Sequence, residues 1–187
     1  YNCTSLKSVI MNYNEEVEYT AKINAGAFYN CTELETVRMS ENVTTIGNET
    51  FSGCSALTEL VLPDSVTYLG YEIIEGTGIT SITIPKNVET SNNGYDSRYD
   101  YNGALANCKT LKEVIFAEGI KAIPAYIMSS EDYTSYVEEV IIPDSVTSIG
   151  ERAFYNNDNI KEIELSENLE TIEGSAFAQC NGLTGIN

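Results

Sequence analysis

Apolar side chains recur along this chain in short clusters of one shape. Four stretches display it: Leu57-Thr-Glu-Leu-Val-Leu-Pro63, Ile79-Thr-Ser-Ile-Thr-Ile-Pro85, Val137-Glu-Glu-Val-Ile-Ile-Pro143 and Ile160-Lys-Glu-Ile-Glu-Leu-Ser166. Each is apolar at positions 1, 4 and 6, and three of them end in proline. Positions 4 and 6 alternate as a strand does, so both face the same way. The proline then stops the ladder and starts a turn. With position 1 as anchor, units begin at Leu6, Leu34, Leu57, Ile79, Leu111, Val137, Ile160 and Leu183, spaced by 28, 23, 22, 32, 26, 23 and 23 residues. A recurrence of this length marks a stack of small units sharing one continuous core.

Two further clusters complete each unit. A second apolar pair follows the turn, as in Val43/Ile46, Val66/Leu69, Ile120/Ile123, Val146/Ile149 and Leu169/Ile172. Then comes a small residue with a large apolar one: Ala27-Phe28, Thr50-Phe51, Ala104-Leu105, Ala153-Phe154 and Ala176-Phe177. This last segment reads as a short helical turn that drops a large side chain into the centre. The expected fold is a β-rich solenoid of the α/β class, right-handed because parallel crossovers almost always are. Its strands lie at ~4.8 Å in a parallel sheet on one face, with short strands, turns and helical turns on the others. The chain reads as one domain over residues 1–187, with about seven to eight repeats of ~23 residues.

The pattern L-x-x-(V/I)-x-(I/L)-P-x-x-V-x-x-I-G-x-x-A-F-x-x-C resembles the BspA-type leucine-rich repeat, and residues 57–69 and 137–154 match it most closely. The resemblance covers nearly the whole chain and implies a leucine-rich-repeat solenoid. The family comprises surface proteins of bacteria and some protists, implicated in adhesion to host proteins or other microbes. It has no shared catalytic motif to carry over. By that resemblance the chain is expected at the cell surface or outside the cell, as a monomer without cofactors.

Composition agrees with a recognition role. Net charge is −18, from 28 acidic and 10 basic residues, so the surface repels phosphate backbones and anionic membranes. No run approaches the ~18 apolar residues that span a bilayer. The chain starts at Tyr1 without an initiator Met and stops within a strand motif at Asn187, which reads as a piece of a longer protein. There is no histidine, which removes Ser-His-Asp and Cys-His catalysis and histidine-ligated metals. A carboxylate pair for glycoside hydrolysis is the remaining enzymatic alternative. With 28 acidic residues, a close pair somewhere is expected by chance. Phosphate-cradling glycine loops are missing too, and Gly47, Gly70 and Gly150 recur at one phase as turn residues.

Cys3, Cys31, Cys54, Cys108 and Cys180 all stand three residues before an anchor, a phase taken by Gly76, Thr134 and Asn157 in other units. A ladder of small, buried, free thiols is expected, with strained disulfides between Cys3/Cys31 or Cys31/Cys54 as the alternative. No CxxC or Cys/His cluster suggests a metal. The N-x-T triplets at Asn2, Asn30, Asn42 and Asn48 follow largely from the repeat itself.

Two features depart from the bare repeat. Insertions at 12–19, 91–103 and 129–136 hold seven of the 13 tyrosines: Tyr13, Tyr19, Tyr95, Tyr99, Tyr101, Tyr133 and Tyr136. Their Tyr/Ser/Gly/Asn mixture matches the composition of recognition loops, although variable loops leaning on the solenoid would look alike. Asp96, Asp100, Asn102 and Gly103 invite a calcium reading, but in an EF-hand register Arg98 falls where the first aspartate belongs. An irregular Ca²⁺ site stays open. The second feature is the outward row at strand position 5: Ile10, Arg38, Val61, Thr83, Ile115, Ile141 and Glu164. Its middle members Val61, Thr83, Ile115 and Ile141 form a mostly β-branched stripe. Either β-propensity alone explains it, or it contacts a partner with Lys112, Glu113, Glu138 and Glu139 as a charged rim.

Three functions follow in order. The first is a non-enzymatic recognition or adhesion module. Its partner would be a host or microbial surface protein or glycan, bound at the stripe and at Tyr95, Tyr99, Tyr101, Tyr133 and Tyr136. The second is a structural spacer carrying another domain. The third is a carboxylate hydrolase.

Overall fold

The computed structural model describes residues 1–11, 19–91, 102–131 and 135–187. The chain winds as a parallel β-solenoid, and each coil contributes one rung to each of two faces. On the first face lie β1 (Ser8–Ile10), β3 (Thr36–Arg38), β6 (Ser81–Ile84), β8 (Glu113–Phe116), β10 (Glu139–Ile141), β12 (Glu162–Ile163) and β14 (Gly185–Ile186). On the second lie β2 (Ala21–Ile23), β4 (Val43–Ile46), β5 (Tyr68–Leu69), β7 (Thr90–Ser91), β9 (Ala122–Ile123), β11 (Ser148–Ile149) and β13 (Thr171–Ile172). Every pairing is parallel.

The register is the one the repeat implies. Ile82 lies opposite Val114 and Ile84 opposite Phe116, so like positions stack on like. The anchors Leu34, Leu57, Ile79, Leu111 and Ile160 are fully buried, and the second apolar pairs line the other side of the same core. Removing these side chains from water in register is the main drive for stacking. The short strands expected on the second face pair into ladders of their own: β2-β4-β5-β7 and β9-β11-β13.

Three details differ from the expectation. First, the Ala-Phe segment is not a helical turn, and no helix occurs among the described residues. Two left-handed residues bracket it in successive coils, such as Glu49 and Gly53 (φ 50° and 75°) or Arg152 and Asn156 (φ 52° and 63°). A left-handed residue cannot continue a right-handed helix. Alternate N–H groups reach instead to the next coil, as in Phe28 to Thr50 O (2.9 Å) and Asn30 to Ser52 O (2.8 Å). Second, Leu57–Pro63, one of the closest matches to the motif, has no strand pairing and β10 does not pair with β12, so the first face breaks into sheets β1-β3, β6-β8-β10 and β12-β14. Third, Thr77 rather than Gly76 occupies the cysteine phase. Thr77 N bonds Ile74 O as Cys54 N bonds Phe51 O, while Gly76 takes the left-handed place held by Gly53. The coil is one residue short beyond that point, so counting back from the anchor misplaces the phase.

All five cysteines are free, without the alternative disulfides. Cys31, Cys54 and Cys108 are buried as expected, but Cys3 is exposed and Cys180 half-buried. The thiols of Cys54 and Cys180 donate to Phe28 O (3.1 Å) and Phe154 O (3.0 Å), one coil back. At the same phase Asn157 donates from Nδ2 to Met128 O (3.0 Å). The phase therefore selects for a small donor rather than for sulfur. Gly47, Gly70 and Gly150 sit where backbones of adjacent coils nearly touch, and a methyl there would collide with Ala25, Asn48 and Ala125 respectively.

Candidate functional site

Strand alternation divides each rung of the first face. Positions 4 and 6 enter the core, and positions 3 and 5 meet solvent. The position-5 row therefore points outward, as its spacing implies. Val61 is 67% exposed, Ile10 62% and Ile141 41%; Thr83 is exposed and Ile115 half-exposed. Thr83↔Ile115 and Ile115↔Ile141 are direct register partners in the β6-β8-β10 sheet, which makes a contiguous stripe. Val61 stands apart, on the rung where pairing is interrupted.

Beside that stripe runs position 3: Glu59, Ser81, Glu113, Glu139 and Glu162. Glu113 lies directly opposite Glu139. Ser81 Oγ donates to the Glu113 carboxylate. At position 2, Lys112 Nζ meets Glu138 Oε1 at 2.6 Å and lies 5.6 Å from the Tyr136 ring centre. Tyr136 is thus held at the rim of the face, 39% exposed. Tyr95, Tyr99, Tyr101 and Tyr133 lie outside the described residues, as does Tyr13.

Clefts open where the ladder is interrupted. One of about 540 Å³ lies between the rungs of β3 and Leu57–Pro63, lined by Glu35, Glu41, Glu59 and Arg38 over Val37 and Val61. Another of about 520 Å³ lies between β10 and β12, lined by Glu138, Glu139, Glu162, Glu164 and Lys161 over Ile141. Both combine carboxylates and a single cation with an apolar floor.

A polar cluster on the turn side of the coils was not anticipated. Asn102 and Asn107 each donate from Nδ2 to Glu72 Oε1 at 2.8 Å. Ser130 Oγ donates to Asn107 Oδ1 (3.1 Å), and Asn156 Nδ2 to Ser130 O (2.8 Å). Burial pushes the Glu72 carboxyl up to about 7, with added repulsion from Glu75 and Glu49. Asn102 also accepts from Glu131 N through Oδ1 (3.1 Å), while Asp96 and Asp100 of the calcium reading lie outside the described residues. Ser129 and Ser130 are buried in the wall, and Gly103 N bonds Ser129 O (2.8 Å), so the second and third insertions are narrower than their spacing suggests. The sequence signal was asparagine, a residue type that tolerates left-handed backbone, at Asn107 and Asn156 (φ 58° and 63°). Among the described residues, no group of three or more Cys, Asp and Glu is placed to hold a metal ion. No helix among them is long and apolar enough to cross a membrane.

The family model described as BspA type leucine rich repeat region matches six copies, over residues 1–97 and 101–187. Among solved structures, a leucine-rich repeat protein from Bacteroides ovatus is 26% identical, with a TM-score of 0.51 over 89% of this chain and 54% of that one. This chain thus spans about half the length of that protein. The T. pallidum leucine-rich repeat protein is 19% identical, with a TM-score of 0.66 over 95% of this chain and 78% of that one, a likeness of fold. No curated protein matches the chain.

Proposed function

The chain belongs to the BspA-type leucine-rich repeat family, and from that premise we propose that it is a non-enzymatic recognition module of the cell surface or extracellular space. It binds a protein or glycan through the first sheet face, with Tyr136 at its rim, and through the tyrosine-bearing loops. The observation that carries the reading is the solvent-facing stripe Thr83–Ile115–Ile141 with exposed Val61 beyond it. Contiguity across paired rungs sets this stripe apart from singly scattered surface residues, which need no explanation. Family membership and the lack of a histidine support binding over catalysis.

The test is an array of host and microbial surface proteins and glycans probed with three forms of the protein. Wild type should capture at least one ligand; Ile115→Lys/Ile141→Lys should lose it, and deletion of 92–101 should weaken it. The deletion spares Asn102 and Gly103, which the coil wall uses. Capture that survives both changes would reject these faces, and no capture at all would favour a spacer.

A further inference from the structure

Resting on that reading of the sheet face, we propose that its occupant is an extended, cationic segment of another polypeptide. The segment lies along the solenoid axis, with apolar side chains on the stripe and a basic side chain in each acidic cleft.

The fold leaves electrostatic repulsion in place on this face. Glu113 and Glu139 are direct register partners, and like charges directly opposite destabilise a sheet. Glu162 follows on the next rung at the same position. Among the described residues, no cation pairs with Glu59, Glu139 or Glu162. Lysine is present nearby, yet Lys112 pairs with Glu138 at position 2 rather than with the position-3 row. Negative charge therefore stays uncompensated beside an exposed apolar stripe. Complementarity calls for a partner that brings both cations and apolar surface. Neutral glycans bring no cation, and anionic polymers are repelled.

Geometry narrows the partner further. The two clefts are four rungs apart, about 19 Å at ~4.8 Å per rung. An extended chain advances ~3.3 Å per residue, so about six residues span them. Strand alternation puts residues i and i+6 on one side, where i+2 and i+4 then meet Thr83, Ile115 and Ile141. In the first cleft three carboxylates face one guanidinium, Arg38; in the second Glu139, Glu162 and Glu164 face one ammonium, Lys161, while Glu138 is already paired with Lys112. Each has room for an arginine or lysine head above an apolar floor that suits its methylene stem.

A fluorescent synthetic peptide with arginines at i and i+6 and valines at i+2 and i+4 provides the probe, measured by anisotropy. Binding should weaken about tenfold between 50 and 300 mM salt, because exposed charges are screened. Glu139→Gln/Glu162→Gln should weaken it about tenfold while leaving the circular dichroism unchanged. Moving the second arginine to i+3, or replacing both by glutamine, should abolish specific binding. Equal binding of the arginine and glutamine peptides, or indifference to the Glu→Gln pair, overturns the inference. If an array ligand is lost with Ile115→Lys/Ile141→Lys yet ignores Glu139→Gln/Glu162→Gln, the recognition face stands and its cationic occupant falls. If the lysine pair changes nothing, the face itself falls.

Discussion

The outer coils and the middle coils are held in register by different chemistry. Toward the start, Phe28 stacks on Phe51 with ring centres 5.5 Å apart and planes 7° from parallel; toward the end, Phe154 stacks on Phe177 at 5.1 Å and 9°. Between them the equivalent places hold Ile74, Leu105 and Met128, and no such stack is available. There the chain Glu72–Asn107–Ser130–Asn156 links successive coils by side-chain hydrogen bonds. The change coincides with unequal coil lengths. At Glu72 and Ile73, consecutive N–H groups bond Gly103 O and Ala104 O, where other coils use alternate residues. Parallel ring stacking needs identical coils, because rings must overlap face to face. Amides and carboxylates bridge coils that have slipped, since their rotatable groups find partners over a range of offsets.

Truncating the rings should give the largest effect. Phe51→Ala and Phe154→Ala each remove a fully buried ring and should cost about 3–5 kcal/mol in denaturant unfolding. Leu105→Ala, in the middle, should cost about 2–4 kcal/mol. A larger loss at Leu105 than at Phe51 would break the contrast. Next comes Asn107, whose amide serves both Glu72 and Ser130 while its backbone is left-handed. Asn107→Gly keeps the backbone at ease and should cost about 1–3 kcal/mol for the lost bonds. Asn107→Ala should cost about 1 kcal/mol more, since alanine resists positive φ. Equal losses would mean that backbone strain plays no part.

Glu72 makes the middle sensitive to pH. Its folded carboxyl sits near 7 against an ordinary 4.5, so between those values the folded state holds more protons than the unfolded one. Its contribution to stability is therefore full below about pH 4.5 and declines as pH rises through 7. Glu49, raised by burial and by Glu75, leans the same way. Glu72→Gln keeps an acceptor for the two asparagines but removes the charge. The variant should be more stable than wild type at pH 8, by about 1–2 kcal/mol after allowing for solvent screening, and should level with it near pH 4.5. Unfolding followed from pH 4.5 to 8 checks this, and a variant no more stable at pH 8 would refute it.

Much of this architecture was legible because the repeat applies one rule many times. The core positions, the outward row and the common phase of Gly47, Gly70 and Gly150 all follow from counting along equal coils, although these glycines read as turn residues and serve close backbone approach. Counting failed where coils differ. Thr77 was missed because its coil is one residue short after the phase, and the Glu72 cluster because its members come from coils separated by insertions of unequal length. The helical turn was misread because Glu49 and Arg152 adopt left-handed backbone that their residue types disfavour; only the hydrogen bonds offered by the next coil make that conformation worthwhile. The exposed stripe was readable as a stripe, yet its flanking clefts depend on breaks in pairing at Leu57–Pro63 and after β10 that the motif does not encode.

Thiol chemistry gives the finest comparison, because one residue type samples both regions. Burial raises the thiols of Cys54, to about 11, and of Cys180. Cys108 lies in the middle, where burial first and the repulsion of Glu75 and Glu72 second push it higher still. Only a thiolate attacks a disulfide reagent, so labelling under native conditions should follow exposure and then charge. Cys3 should react first, half-buried Cys180 next, and buried Cys54 and Cys108 only as coils open. In Glu72→Gln at pH 8, labelling of Cys108 should slow relative to Cys54 in mildly destabilising urea, because the stabilised coil opens less often; faster labelling would refute this. Mass spectrometry of each cysteine peptide gives the two rates.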